Sequence, residues 1–182
     1  TRLMDGMKAR DNITKFTPAL FIDFPLVDKY ANGTTTKSSV RTFAKRSFRM
    51  PTFNDLYYTD LGNSNLKPES ATQYDLGMVF HKQYNQGFVR NLYFQADGYY
   101  NTIHDKIIAY PKGQQFRWTM LNLGRVHITG VDVMGSIALQ PISDFLITAR
   151  LQYTYQDARD VTDASDTFFK HQIPYIPYNS GS

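Results

Sequence analysis

The sequence predicts an all-β protein whose antiparallel up-and-down sheet forms part of a transmembrane β-barrel. Apolar and polar residues alternate along most of the chain, which is the period of a strand with two different faces. No apolar run reaches the roughly 18 residues that a membrane helix needs. The predicted strands of about ten residues are joined by short turns and long loops in alternation, and outer-membrane barrels have this organisation.

The clearest strand covers residues 145–155, where Phe145, Leu151 and Tyr155 share one side with other apolar residues. A second strand over residues 70–80 places Tyr74 and Leu76 on its apolar side. The other side of both strands is polar, as expected for residues that face a water-filled lumen. These predicted lumen-facing residues are Gln73, Asp75, Arg150, Gln152, Thr154 and Gln156.

Further strands are predicted from the same alternation over residues 131–139 and 92–101, and from weaker patterns over residues 16–24 and 39–46. No segment predicts a helix. Short polar turns are expected at residues 82–87 and 140–144, and long connections at residues 47–69, 104–123 and 157–173. The connection at residues 27–37 contains Asn32-Gly33 and belongs with the short turns, although it is long for a turn.

Composition narrows the function classes. The chain has 182 residues with 13 Tyr and 13 Phe, an excess that suits surfaces that are half apolar and half wet. It has no cysteine, which excludes disulfides and thiolate metal sites. The net charge of +4 comes from scattered Lys and Arg, so the sequence predicts no nucleic-acid partner.

The residues that usually carry chemistry are sparse, and we expect no catalytic residues, no metal site and no cofactor. The four histidines lack metal-ligand spacing, and no glycine-rich phosphate loop is present. One predicted loop has aspartates at three-residue intervals, which are Asp157, Asp160, Asp163 and Asp166. Calcium prefers such oxygen ligands, but the spacing is not that of a known calcium loop, so a solvated acidic loop is favoured.

The region around the first long loop resembles the barrel domain of TonB-dependent outer-membrane receptors. The runs that carry the resemblance are SFRMP at 47–51, NDLY at 54–57, NSNLKPES at 63–70 and YDLG at 74–77. Downstream runs that resemble the same family in the same order are ADGYYN at 96–101, NLG at 122–124, GVD at 130–132, YTY at 153–155 and IPYIP at 173–177. The resemblance covers approximately residues 16–182.

This resemblance implies a receptor and transporter in the Gram-negative outer membrane that captures a scarce nutrient for TonB-energised import. The ligand would be a small molecule or a metal chelate, namely a ferric siderophore, haem, cobalamin or a glycan. The implied partners are outer-membrane lipid and the TonB complex, which acts through a plug domain. Residues 1–182 are interpreted as a partial barrel domain of about seven or eight strands that lacks the plug and the last strands.

The resemblance also implies that ligands bind first at extracellular loops. Candidate ligand contacts in the first long loop are Tyr57, Tyr58, Asp60 and Asn63, and those in the second are Tyr110 and Trp118. Pro51 and Pro68 are expected to anchor the ends of the first loop rather than to bind ligand. Haem is disfavoured because residues 52–62 contain no histidine between the two boxes that haem receptors carry, although Tyr57 or Tyr58 offers an alternative iron ligand.

Two other classes of function stay open from the sequence. A soluble β-sandwich that binds carbohydrate through surface aromatics would pack the side of Phe145, Ile147 and Leu151 against a second sheet. A membrane barrel would instead expose that side to lipid and would turn Arg150 and Gln152 toward water. An enzyme on a β scaffold is the weakest alternative, because the chain offers no convincing acid–base pair.

Overall fold

The computed structural model describes residues 13–59, 61–112, 117–167, 169–173 and 176–182. Within them lie seven strands and one short helix. The strands are β1 (Ala19–Ala31), β2 (Thr34–Arg49), β3 (Glu69–Tyr84), β4 (Val89–Lys112), β5 (Arg117–Ile142), β6 (Phe145–Asp160) and β7 (Asn179–Gly181), and the helix is α1 (Phe53–Tyr57). No helix in the described part of the chain is long and apolar enough to cross a membrane.

The seven strands form one sheet in sequence order, and every neighbouring pair is antiparallel. This confirms the predicted all-β, up-and-down architecture. The expectation that the chain has no helix is wrong by one element, because α1 occupies five residues of the first long loop. Thr52 begins it with a capping box, in which its side chain accepts from the Asp55 N–H and the Asp55 carboxylate accepts from the Thr52 N–H.

The structure corrects the extent of two predicted connections. The connection predicted at residues 27–37 is a two-residue turn, because Ala31 pairs with Thr34 and Asn32 and Gly33 have φ values of 50° and 71°. The connection predicted at residues 104–123 is mostly an extension of β4 and β5, whose pairing continues to Lys112 and Arg117. The alternation does not mark this extension, because successive residues such as Ile107 and Ile108, or Met120 and Leu121, are apolar on both faces, but backbone pairing does not require an alternating pattern.

The connections sort by end, as predicted. The turns β1–β2, β3–β4 and β5–β6 span two to four residues and lie at one end of the sheet. The β2–β3 loop at residues 50–68, the extended β4–β5 hairpin and the β6–β7 loop at residues 161–178 lie at the other, which we call the long-loop end.

The register gives the sheet two chemically different faces, because residues paired across strands lie on the same side. Arg41, Gly77, Asp97, Asp132 and Thr154 form a row on one side, called here the inner face. The other side, the outer face, is apolar and exposed over most of its height. Its exposed members include Leu20, Ile22, Phe24, Tyr74, Leu76, Met78, Val131, Ile147, Leu151, Tyr153 and Tyr155.

Buried apolar residues lie on the inner face near the long-loop end rather than in the middle of the sheet. In one cluster, Ile173 of the β6–β7 loop packs on Ile103, Val126, Ile128 and Ala158. The Ile173 N–H also donates to the Ala158 carbonyl at 2.9 Å. The long loops therefore fold over the inner face and leave the outer face uncovered.

Candidate lumen and ligand-binding loops

A polar network occupies the middle of the inner face. The Arg41 guanidinium donates two hydrogen bonds to Asp97 Oδ1, from Nε at 3.0 Å and from Nη2 at 2.7 Å. The other oxygen of Asp97 accepts from Gln95 Nε2 at 2.6 Å, and Gln95 in turn accepts from the Tyr93 hydroxyl at 2.6 Å. Asp97 is 6% exposed, so a charged group is held away from water by a matched set of donors.

Glycines make room for this network. A side chain at Gly77 would collide with the Asp97 carboxylate, which lies directly across from it on β4. A side chain at Gly130 would collide with the Tyr99 ring. The absence of a Cβ at these two positions lets large polar side chains lie flat against the sheet.

The predicted lumen-facing residues all lie on the inner face. Asp75 and Gln152 line a groove of about 670 Å³ together with Arg41, Asp97 and Asp132. Thr154 donates to Asp132 Oδ1 at 2.6 Å. The other three residues are placed on the inner face by the strand register. Gln73 is two residues from Asp75 on β3, and Arg150 and Gln156 are an even number of residues from Thr154 on β6.

We expect Asp97→Ala to destabilise the folded protein by about 2 kcal/mol, because it leaves Arg41 and Gln95 without their acceptor in a half-buried site. The measurement is the temperature at which the detergent-solubilised protein loses its heat-modifiable, compact band on a denaturing gel. Asp132→Asn is the matched control, since an amide oxygen still accepts from Thr154. An equal loss in both variants would contradict a specific role for the Arg41–Asp97 pair.

The β2–β3 loop is bonded to the β4–β5 hairpin by two asparagines. Asn63 donates from its amide to the Met120 carbonyl at 3.0 Å and accepts from the Asn65 N–H at 3.0 Å. Asn122 accepts from the Lys67 N–H at 2.8 Å and donates to the carbonyls of Lys67 and Asp105 at 3.0 and 2.7 Å. The predicted contact residue Asn63 therefore has both ends of its amide engaged within the loop and hairpin.

Apolar packing strengthens this attachment. Leu56 of α1 and Leu66 are buried against Ile107 of β4, with Tyr57 and Met120 packed around them. The first long loop and the hairpin thus form one packed unit, which we call the loop–hairpin unit, defined by residues 52–59 and 61–69 and the paired parts of 105–122. Loops held in this way present their remaining side chains in fixed positions.

The predicted aromatic contacts fall in different environments. Tyr58 is 57% exposed, whereas Tyr57 is half-buried and its ring lies 5.2 Å from that of Phe53. Tyr110 is exposed, and it pairs with Thr119 while Trp118 pairs with Pro111. Tyr110 and Trp118 therefore lie on opposite faces of the hairpin. Asp60 lies outside the described residues.

The four aspartates that were predicted to share one loop are divided between β6, which contains Asp157 and Asp160, and the β6–β7 loop, which contains Asp163 and Asp166. Asp157 binds Arg159 and Asp160 accepts from the Thr162 N–H. The backbone N–H of Ser165, followed by its hydroxyl, holds the pKa of the Asp163 carboxyl below its usual value. Within the described residues, no three His, Asp or Glu side chains lie close enough together to hold a metal ion.

Sequence reasoning missed the residues that organise the site. Asp97 lies in the predicted strand 92–101, but its partner Arg41 lies 56 residues earlier, in the weakly patterned segment 39–46, so no local pattern indicates the pair. Phe53 is 69% exposed and its ring lies beside that of Tyr57. It stands between two polar residues in a predicted loop, where no repeating pattern indicates which side chains are exposed. Asn122 belongs to one of the runs that carry the family resemblance, which was the available signal.

A single antiparallel sheet with an apolar outer face, a polar inner face and loops sorted by end defines part of a transmembrane β-barrel. The family model described as "TonB dependent receptor-like, beta-barrel" matches residues 5–182. The chain belongs to this family, which confirms the resemblance found in the sequence.

Two similar proteins are both named "Vitamin B12 transporter BtuB". The one from Photobacterium profundum is 30% identical over 137 residues, which cover 71% of this chain and 20% of the relative. The one from Vibrio vulnificus is 30% identical over 118 residues, which cover 65% of this chain and 17% of the relative. The matched region thus spans a fifth or less of the length of either relative.

Proposed function

We propose that this chain is part of an outer-membrane receptor that captures a scarce nutrient for TonB-energised import in a Gram-negative bacterium. Membership of the TonB-dependent receptor family is the observation that carries the proposal. The family is one of receptors and transporters, so the expected work is binding and gating rather than catalysis. The full import activity also requires the outer-membrane lipid, the TonB complex and the plug through which that complex acts.

The long-loop end is the extracellular end in this proposal, because outer-membrane barrels carry long loops outside and short turns in the periplasm. The loop–hairpin unit then faces arriving ligand. Tyr58 and Phe53 are its best contact candidates, since both rings are well exposed on a segment whose backbone is fixed by packing. Tyr57, Tyr110, Trp118 and Asp60 are proposed contacts with less support, and Asn63 is proposed to position the loop.

Cobalamin is the first ligand to test, because both similar proteins are named as vitamin B12 transporters. Ferric siderophores, haem and glycans are the other candidates. A corrin ring offers a large apolar face and many amide groups, which suits exposed Phe and Tyr side chains.

The experiment measures uptake of radiolabelled cyanocobalamin by cells that lack their own vitamin B12 receptor and express the complete receptor carrying this sequence. We expect saturable uptake that is lost when TonB is deleted. The double variant Phe53→Ala/Tyr58→Ala should weaken ligand binding about tenfold, the effect of losing roughly 1.4 kcal/mol of aromatic contact. Tyr153→Ala is the control, since this tyrosine lies on the outer face of β6.

Uptake that persists without TonB would contradict the proposed import mechanism. Absence of cobalamin uptake, combined with TonB-dependent uptake of a ferric siderophore or another candidate, would keep the receptor and change its ligand. The soluble sandwich alternative gains no support, because Phe145, Ile147 and Leu151 are 54%, 44% and 75% exposed, with no second sheet packed on them in the described residues.

A further inference from the structure

A second cavity lies on the inner face, between the polar network and the short-turn end of the sheet. Its volume is about 400 Å³, and its lining residues come from β3, β4, β5 and β6. The polar ones are His81, Asn91, Tyr93, Ser136, Thr148 and Arg150. We call it the short-turn cavity, because these residues lie on the short-turn side of the row that contains Asp97 and Asp132.

The strand register brings the two basic residues of the short-turn cavity into one row. His81 pairs with Tyr93, which pairs with Ser136. Ser136 in turn pairs with Arg150. Three strand spacings of about 4.8 Å therefore separate the backbones of His81 and Arg150 by about 14 Å. A histidine and an arginine side chain that span this distance leave room for one small ion between them.

The short-turn cavity offers hydrogen-bond donors and no negative charge. None of its lining residues is acidic, and Arg150 has no hydrogen-bond or ion-pair partner among the described residues. His81 Nε2 lies 3.0 Å from Asn91 Nδ2. The amide donates at this contact, so the neutral imidazole carries its own proton on Nδ1. The hydroxyls of Ser136 and Thr148 are further donors, and the cavity therefore matches an oxyanion in charge and in hydrogen bonding.

Arg150 differs from two other cations of the inner face, which have a carboxylate partner. Arg41 Nη2 lies 2.7 Å from Asp97 Oδ1, and Lys37 Nζ lies 3.6 Å from Asp28 Oδ2. Lys37 belongs to the same row as Arg150, but it lies on β2 and does not line the short-turn cavity.

The carboxylates of the polar network are too distant to neutralise this site. Asp97 is four residues from Tyr93 on β4, and Asp132 is four residues from Ser136 on β5. Four steps of about 3.3 Å give about 13 Å, which exceeds the Debye length of about 8 Å at physiological ionic strength. The described residues therefore provide no counter-charge for Arg150.

We propose that the short-turn cavity binds an oxyanion carried by the imported nutrient, with Arg150 as the charged contact and His81 and Ser136 as hydrogen-bond donors. Guanidinium suits this task, because it binds phosphate with two parallel hydrogen bonds. In cobalamin the oxyanion is the phosphodiester of the nucleotide loop. This inference rests on the proposed function, in which the short turns lie in the periplasm, so the nutrient meets the cavity shortly before it leaves the lumen.

A site at this level acts on transport rather than on capture. The extracellular loops lie at the opposite end of the sheet, so loss of Arg150 leaves the first binding step intact. Arg150 is exposed and keeps much of its hydration, so it holds the anion weakly enough to release it.

The test compares two corrinoids in cells that lack their own vitamin B12 receptor and express the receptor that carries this sequence. Cyanocobalamin has the phosphodiester, whereas cobinamide lacks the nucleotide loop and its phosphate. Arg150→Gln should lower the maximal TonB-dependent uptake rate of cyanocobalamin about fivefold, the size expected for one exposed ion pair. The uptake rate of cobinamide should stay within about twofold of the wild type. Unchanged cyanocobalamin binding at the cell surface shows that the variant is assembled.

Lys37→Gln is the matched control, because it removes a cation of the same row that is paired with Asp28 and lies outside the cavity. Arg150→Lys should restore part of the cyanocobalamin rate, since it keeps the charge but not the two parallel hydrogen bonds. The proposal is overturned if Arg150→Gln slows both corrinoids equally, as loss of a structural or plug contact would. An unchanged cyanocobalamin rate, or equal slowing by Lys37→Gln, would also overturn it.

A second measurement tests the cavity without reference to the nutrient. The probe is diethyl phosphate, a simple phosphodiester, and the readout is the broadening of its phosphorus NMR resonance by the purified receptor in detergent. The broadening should fall by at least half in Arg150→Gln and persist in Lys37→Gln. No broadening by the wild type, or equal broadening by Arg150→Gln, would overturn the proposal.

The two measurements separate this inference from the proposed function. Arg150-dependent broadening without any TonB-dependent corrinoid uptake supports the oxyanion site and contradicts cobalamin as the nutrient. TonB-dependent cobalamin uptake that is insensitive to Arg150→Gln supports the proposed function and contradicts the oxyanion site.

Discussion

Replacing Leu151 by arginine is expected to destabilise the inserted barrel by about 2–4 kcal/mol, the cost of an arginine on the lipid side near the bilayer midplane. Leu151 is 75% exposed and lies near the middle of the apolar outer positions of β6. A solvated surface would accept this change almost without cost. A lipid-facing position would not, because the guanidinium must be dehydrated or must draw water into the hydrocarbon. The measurement is the urea midpoint for unfolding of the complete receptor from lipid vesicles.

Gln152→Arg is the matched control, one residue further along the same strand and on the inner face, where it lines the polar groove. Its expected change is less than about 1 kcal/mol, since a charge in a wet lumen keeps its hydration. A large loss for Gln152→Arg with a small loss for Leu151→Arg would reverse the assignment of the two faces. Equal small losses would show that the outer face meets water.

The sequence was sufficient to predict the central parts of β1 to β6 and their faces, because both depend on a local property, the side-chain period of two, whereas the three-residue β7 is too short to show that period. Leu76 and Asp75 are adjacent in the chain, and their opposite environments follow from that adjacency. The order of strands was also predictable, because short polar turns connect antiparallel neighbours. These features required no knowledge of which distant residues meet.

The parts that the sequence did not show depend on register and on long-range packing. Arg41 meets Asp97 because two successive pairings place both opposite Gly77, and a shift of one residue would separate them. The hairpin of β4 and β5 continues beyond the stretch in which apolar and polar residues alternate, because backbone pairing and Asn122 hold it. No local pattern encodes either outcome.

The candidate ligand-binding residues were only partly separable from the sequence. Tyr57 and Tyr58 are adjacent and chemically alike, but one packs beside a buried cluster and the other is well exposed. The two tyrosines differ because α1 ends at Tyr57, and Tyr58 follows it in an extended conformation. The capping box of Thr52 and Asp55 is a sequence signal for this helix, but a helix of five residues shows no periodic pattern that would draw attention to it. Asn63 is a polar loop residue of the kind that often contacts ligands, but its side-chain amide is hydrogen-bonded to the Met120 carbonyl of the hairpin.

Leu66→Ala is expected to weaken the docking of the first long loop by about 2–5 kcal/mol, the range for removing a buried leucine side chain. Leu66 is 2% exposed and packs with Leu56 and Ile107, so the substitution leaves a cavity between loop and hairpin. Hydrogen exchange of the backbone amides should rise in residues 53–67. It should stay unchanged in the middle of β5 and β6, whose pairing does not involve this cluster.

Met50→Ala is the control in the same loop, because Met50 is 40% exposed and lies outside the cluster.

If the exposed rings of Phe53 and Tyr58 contact ligand, Leu66→Ala should also lower ligand affinity, although Leu66 itself is buried. The loss would come from disorder in the loop that positions the rings, because a fixed backbone reduces the entropy lost on binding. A rise in hydrogen exchange without a loss of affinity would show that the ligand binds elsewhere on the long-loop end. A loss of affinity without a rise in hydrogen exchange would contradict the role of Leu66 in fixing the loop–hairpin unit.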